Sequence, residues 1–273
     1  MIESATPLGQ TATVRSGHPY LADGPFPRAL AHRGWHLGEL AGMENSLSSF
    51  RRAVQEGFRY IETDVQATTD GVVVVQHDDV LDRTTDRQGV INQLPWSEVG
   101  RALVGGREQI PRLEHVLEEL PTALLNVDVK ADNAVGPVLR VLERCNAWDR
   151  VCLASFSDAR LARLRKIAGP RLITSMGPAT VFALWSSGRW PLLGTRRFVQ
   201  GAMAQVPERQ GPLRVVDHKF VDGAHRLGLE VHVWTINTEP QMRSLLALGV
   251  DGIVTDRPDL LRDVLQSQGQ WHP

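Results

Sequence analysis

The chain has 273 residues, 42% of them hydrophobic and 22% charged, a composition near globular averages that excludes a disordered chain or a polar fibre. Thirty Lys and Arg against 31 Asp and Glu give a formal charge of -1, so no net field draws nucleic acid or an anionic membrane, and any anion must be held locally. Cys145 and Cys152 are too few for a disulfide framework and lack paired-cysteine zinc spacing, so both read as core thiols in a reducing compartment.

Residues 1–28 carry Pro7, Gly9, Gly17, Pro19, Gly24, Pro25 and Pro27 without the continuous apolar run of a signal peptide, and read as a partly extended leader on a cytoplasmic protein. From residue 29 onward, short β-branched runs alternate with amphipathic helical patterns. Strands are expected at 29–32, 60–65, 123–129, 150–154, 171–175, 201–206, 230–235 and 252–254. Helices are expected at 46–56, 113–120, 133–144, 158–167, 179–186, 217–227, 240–248 and 258–265. Eight such pairs predict an α/β chain whose residues 29–273 close into one (β/α)8 TIM barrel. The rhythm breaks after the second strand, where Gly71, the run Val72 to Val75 and a polar stretch reach Pro111. This short insertion sits at the barrel mouth, either covering a substrate or serving as a plain surface loop. No stretch reaches the roughly 18 apolar residues a membrane span needs; the apolar patch 181–193 is interrupted by Ser186, Gly188 and Arg189.

Side chains alternate across a strand, so in the second strand Glu62 and Asp64 share a face opposite Ile61 and Val65. The apolar face meets the helices, which leaves two like charges in the barrel mouth, a costly placement without a cation. The third strand repeats the pattern: Asn126, Asp128 and Lys130 share one face, Val127 and Val129 the other. Three converging carboxylates suit a hard divalent cation, Mg2+ or Ca2+. The competing reading is that Glu62, Asp64 and Asp128 pair with Lys130 and a nearby arginine. His32 and Arg33 end the first strand before Gly34, which permits a tight turn. His77 and Asp78 follow the Val72 to Val75 run, on a segment able to fold over the same opening.

These pieces, Ala31-His32-Arg33-Gly34, Glu44-Asn45-Ser46, Glu62-Thr63-Asp64, His77-Asp78 and Asn126-Val127-Asp128-Val129-Lys130, together resemble the glycerophosphodiester phosphodiesterases. So do Val233-Trp234-Thr235-Ile236-Asn237 and the closing run from Gly249 to Pro258, and the resemblance covers residues 29–261. It implies one divalent cation, Mg2+ or Ca2+ with Mn2+ admitted, on Glu62, Asp64 and Asp128. It implies His32 and His77 as the acid-base pair, Arg33 and Lys130 on phosphate, and Glu44 in support. Where the family often places glutamate, this chain has the shorter Asp128. Trp234 and Phe156 are candidate pocket walls, with core packing as the alternative.

The implied reaction is metal-dependent hydrolysis of a small glycerophosphodiester to glycerol 3-phosphate and an alcohol. Attack by water and attack by a neighbouring glycerol hydroxyl, giving a cyclic phosphate, both stay open. A phospholipase D-like lyase on lysophospholipids or sphingolipids is the nearest alternative, with Val181 to Trp185 and Trp190 to Leu193 as a hydrophobic lip, although core or loop packing is the preferred role for those residues. A non-catalytic phosphate-binding barrel is the third. No nucleic-acid partner or stable membrane insertion is expected, and a homodimer is compatible with the sequence.

Overall fold

The computed structural model describes residues 17–189 and 198–273. Eight parallel strands form the barrel: β1 (Arg28–His32), β2 (Tyr60–Ala67), β3 (Leu124–Val129), β4 (Val151–Ala154), β5 (Ile173–Thr174), β6 (Met203–Pro207), β7 (Glu230–Trp234) and β8 (Gly252–Thr255). Hydrogen-bonded neighbours run β5, β4, β3, β2, β1, β8, β7, β6. The ring closes between β5 and β6 through a parallel bridge from Ser175 to Met203, with Ala202 N donating to Thr174 O at 2.9 Å and Met176 N to Met203 O at 3.0 Å. β5 is shorter than expected because Arg171 ends a 3-10 turn, Gly169–Arg171, in which Pro170 fixes the backbone and supplies no donor.

The strands sort their side chains as the alternation requires. Ile61, Val65, Val127 and Val129 join the layer between strands and helices. Leu30, Tyr60, Leu124, Cys152, Ile173, Met203 and Val254 fill the barrel interior. Helices begin where a side chain can accept an otherwise unpaired N–H: Ser46 caps Leu47–Gln55, Ser157 caps Asp158–Ala168 and Asp217 caps His218–His225.

The last residues of the expected leader have structure of their own. Part of the proposed leader is helical, Pro19–Ala22, because His18 Nδ1 accepts from Tyr20 N at 3.2 Å and Pro19 suits a first turn. Tyr20 and Leu21 join the interior cluster at the amino end of the barrel. Arg28, already inside β1, is fully buried and spends every N–H it has: on Glu230 at 2.8 and 3.1 Å, Gly24 O at 2.8 Å, Pro25 O at 2.9 Å and Leu21 O at 2.7 Å. Residues 1–16 lie outside the described residues. Cys152 is buried as expected, whereas Cys145 is only partly covered, since its helix ends beside it at Arg144.

The insertion after β2 is more than a loop. Val73–Val75 pairs antiparallel with the end of β2, and Met43, Val74, Leu81, Ile91, Val99, Ala102, Val104 and Ile110 form a small separate core. That core fixes the segment carrying His77 and Asp78 over the barrel mouth. No helix among the described residues is long and apolar enough to cross a membrane.

Candidate active site

A cavity of about 650 Å3 opens at the carboxyl ends of the strands, and His32, Arg33, Glu62, Asp64, His77, Asp128, Lys130, Phe156 and Trp234 all line it. Glu44, the remaining candidate, stands behind Arg33 and accepts from its Nη1 at 2.8 Å. β1 supplies His32, β2 supplies Glu62 and Asp64, and β3 supplies Asp128, with Asp64 and Asp128 directly paired in register. The connection following each strand carries the next residues outward, as barrel mouths are built.

Asp64 is the most heavily partnered acid. Lys130 Nζ lies 2.8 Å from its Oδ1, Arg33 Nε 3.2 Å from its Oδ2, and Asn45 Nδ2 donates to that same oxygen at 3.0 Å. Burial alone would raise this carboxyl, and Lys130 and Arg33 more than offset it, holding Asp64 below its ordinary value. Asn45 reaches it from a left-handed backbone position, φ 58°, and is itself held by Thr63 Oγ1 at 2.7 Å. Lys130 Nζ also donates to Asp128 Oδ2 at 2.7 Å. The ion pairs set against a cation site in the sequence are therefore present.

They do not satisfy the whole acidic set. Glu62 Oε2 and Asp128 Oδ1 are buried without a hydrogen-bond partner, the state that burial penalises most for a carboxylate oxygen. Burial, with Asp64 and Asp128 nearby, pushes Glu62 up to about 8; burial likewise raises Asp128 despite Lys130.

Each histidine is anchored through Nδ1 by a carboxylate. His32 Nδ1 donates to Asp256 Oδ1 at 2.5 Å, and its Nε2 lies 3.7 Å from Glu62 Oε2. Burial would lower His32, but Glu62 and Asp256 outweigh it and the imidazole sits above its ordinary value. Asp256 is fixed in turn by Asn237 Nδ2 at 2.9 Å, and Asn237 Oδ1 accepts from Thr255 Oγ1 and Asp256 N. His77 Nδ1 lies 2.7 Å from Asp78 Oδ1. Arg83 grips Asp78 at 2.7 and 3.1 Å and Glu44 at 2.9 and 3.1 Å. One chain of ion pairs thus runs from Arg33 through Glu44, Arg83 and Asp78 to His77. Arg83 holds Asp78 down at about 2, against a smaller opposing effect of burial.

Asp256, Asn237 and Asn45 belong to motif segments visible in the sequence but carried no assigned role there, and Arg83 gave no signal. Phe156 and Trp234 meet edge to face, ring centres 5.6 Å apart, with Phe156 64% exposed; neither is packed away in the strand-helix core. Val181, Phe182 and Trp185 also line the cavity, Phe182 being 65% exposed, while Ala183 and Leu184 are buried. The preferred packing role is thereby corrected for Phe182 alone; Val181 and Trp185 line the opening while also packing against the strand-helix core, because the helix Pro178–Arg189 turns one face to the opening. Trp190 to Leu193 lie outside the described residues. The mouth is two-sided: charged over β1 to β3, and apolar where Met176, Pro178, Phe182, Trp185, Leu213 and Trp234 contribute.

The glycerophosphoryl diester phosphodiesterase family model matches residues 32–260. A probable glycerophosphodiester phosphodiesterase of Mycobacterium tuberculosis is 41% identical over 248 residues, spanning 89% of this chain and 92% of that protein. A human lysophospholipase D is 26% identical, spanning 87% and 86%. Among solved structures, an Oleispira antarctica phosphodiesterase in complex with the product sn-glycerol-3-phosphate superposes with a TM-score of 0.72 at 25% identity, covering 88% of this chain and 97% of that one. A putative glycerophosphoryl diester phosphodiesterase from Silicibacter pomeroyi gives 0.73 at 25% identity, with 90% and 95% covered. With the barrel, the histidines and the acidic mouth in place, the chain belongs to the glycerophosphoryl diester phosphodiesterase family and is an enzyme of that class.

Proposed function

We propose that this mouth hydrolyses glycerophosphodiesters to glycerol 3-phosphate and the free alcohol, with a divalent cation and with His32 and His77 exchanging protons with substrate. The observation that carries the reading is the pair of buried carboxylate oxygens without a hydrogen bond, Glu62 Oε2 and Asp128 Oδ1, in a cavity that both histidines line. Oxygen acceptors lacking donors are what a hard cation satisfies, so Glu62 and Asp128 fit such an ion; Asp64, whose oxygens Lys130, Arg33 and Asn45 already hold, would complete the set by sharing one of them. Mg2+ and Ca2+ both suit an all-oxygen set. When bound, the ion would act as a Lewis acid on a phosphoryl oxygen.

The chain's own residues supply the rest. Cleavage builds negative charge on the phosphoryl oxygens and the departing alkoxide. Arg33 and Lys130 present fixed positive charge there, pre-aligned by Glu44, Asp64 and Asp128. Because Nδ1 of each histidine is committed to a carboxylate, Nε2 is the working atom on both. One takes a proton from the attacking oxygen and the other returns one to the leaving oxygen. Water and a glycerol hydroxyl are both served by this arrangement.

A second reading is favoured by the apolar half of the mouth. Phe182, Trp185, Leu213, Trp234 and Phe156 would suit an acyl chain, making lysophospholipids the substrate. Phosphorus NMR on glycerophosphocholine beside lysophosphatidylcholine separates the two. The first reading expects glycerol 3-phosphate from glycerophosphocholine. Turnover of lysophosphatidylcholine alone, to a lysophosphatidic or cyclic phosphate product, would replace it with the second.

A further inference from the structure

Beneath the acidic cluster, a file of hydrogen-bonded side chains crosses the barrel from its amino end to the floor of the cavity. It starts at Arg28, whose N–H groups are all committed as described above. Glu230 faces that guanidinium and is held at about 2 because His232 and Arg28 outweigh its burial; it is an acceptor only. His232, fully buried in the barrel centre, places Nε2 3.0 Å from Glu230 Oε2, so Nε2 carries the proton. The other ring nitrogen, Nδ1, then serves as an acceptor, because the atom facing it is an amide NH2. Gln205 Nε2 lies 3.4 Å from that acceptor and donates to Asn126 Oδ1 at 3.0 Å. Each step dictates the direction of the next, and flipping either amide at the top sets like against like: acceptor against acceptor for Gln205, donor against donor for Asn126. With its NH2 turned inward, Gln205 leaves Oε1 as an acceptor. Asn126, its oxygen engaged, leaves Nδ2 as a donor. Neither of these two atoms has a hydrogen-bond partner among the described residues, and both side chains line the cavity.

A donor and an acceptor side by side match a hydroxyl group, which both accepts and donates. We propose that Asn126 and Gln205 form a hydroxyl-reading floor for the glycerol half of the substrate, with amide directions set from the far end of the barrel by Glu230 and His232 acting as positioning residues. The inference rests on the glycerophosphodiester reading of the mouth and holds for either alcohol, since the glycerol backbone is common to both. Sites that pair a substrate hydroxyl with buried polar groups discriminate against the analogue lacking it, because those groups are then left unpaired.

Calorimetry with sn-glycerol 3-phosphate and n-propyl phosphate, in Mg2+ buffer, tests this without turnover. The parent protein is expected to prefer the hydroxylated ligand about tenfold, the scale of one or two net hydrogen bonds. Asn126→Leu is expected to bring the ratio near one while leaving propyl phosphate binding within about threefold. His232→Leu should also lose the preference, and His232→Gln, which can donate to Glu230 and accept from Gln205, should restore it; a merely structural role would not move this ratio. If His232→Leu does not fold, Asn126→Leu alone decides. An unchanged preference in Asn126→Leu, or none in the parent, overturns the proposal. A preference lost in Asn126→Leu, in a protein that does not hydrolyse glycerophosphodiesters, supports the floor and removes the catalytic reading instead.

Discussion

Asp256→Asn changes one atom of a carboxylate that had no role assigned from the sequence, and it tests how His32 is held. Two donors within hydrogen-bond distance converge on this group, His32 Nδ1 at 2.5 Å and Asn237 Nδ2 at 2.9 Å, with His36 Nε2 farther off at 3.6 Å. The Asn237 amide cannot turn, because its oxygen is already occupied by Thr255 Oγ1 and Asp256 N. The introduced amide has one acceptor to satisfy both donors. Its oxygen must face Asn237, so its NH2 faces His32 and forces the ring into the tautomer protonated at Nε2. The protein loses a charge-assisted hydrogen bond worth about 1.5–3 kcal/mol, and with Nδ1 made an acceptor, Nε2 can no longer pass between its bare and protonated states in either role, so turnover should fall about 10- to 100-fold. Steady-state kinetics on glycerophosphocholine, with a melting curve beside it, measure the effect. The expected outcome is a fall in kcat with little change in KM and a melting midpoint within a few degrees of the parent. A kcat within twofold of the parent would refute the claim that Asp256 sets the His32 tautomer.

Other perturbations separate the remaining parts. Exhaustive chelation should abolish hydrolysis, with Mg2+ or Ca2+ restoring it; calorimetric metal binding should disappear in a Glu62→Gln, Asp128→Asn double variant, and undiminished activity after chelation would remove the cation. Arg83→Ala, at a side chain nearly half exposed, should lower kcat about tenfold through Asp78 and His77, the scale for losing an orienting partner, while stability changes by less than about 1 kcal/mol. Glu230 titrates near 2 in the folded chain against an ordinary 4.5, so the unfolded chain binds more protons between those values. Its contribution to stability is present above about pH 4.5 and drains away as pH falls toward 2. Glu230→Gln should therefore melt lower than the parent at neutral pH, with the gap narrowing in acid; a gap independent of pH would contradict the pairing.

The strand alternation that put Glu62, Asp64 and Asp128 on inward faces was readable because a period of two leaves few choices once Ile61, Val65, Val127 and Val129 must meet helices. His32 was readable for the same reason, lying at the carboxyl end of a strand. What escaped the sequence depends on closure of the ring. Asp256 lies 224 residues from His32, and although a closed barrel makes β8 and β1 neighbours, no local pattern says that Asp256, just past β8, turns to His32. Arg83 lies in a polar stretch whose fold is set by a small core of its own, so its reach to Glu44, 39 residues away, had no periodic signature. The helix Pro178–Arg189 reads as apolar in sequence, and only the barrel shows that Phe182 faces the cavity while Trp185 spans cavity and core.

The most direct test of the proposed chemistry follows phosphorus NMR signals of glycerophosphocholine with the parent protein, His32→Ala and His77→Ala under identical Mg2+ conditions. Glycerol 3-phosphate should accumulate with the parent and at least ~100-fold more slowly with each variant, all three proteins being folded. Near-parental rates in either variant, or a parent that leaves the diester intact, would contradict the two-histidine phosphodiesterase.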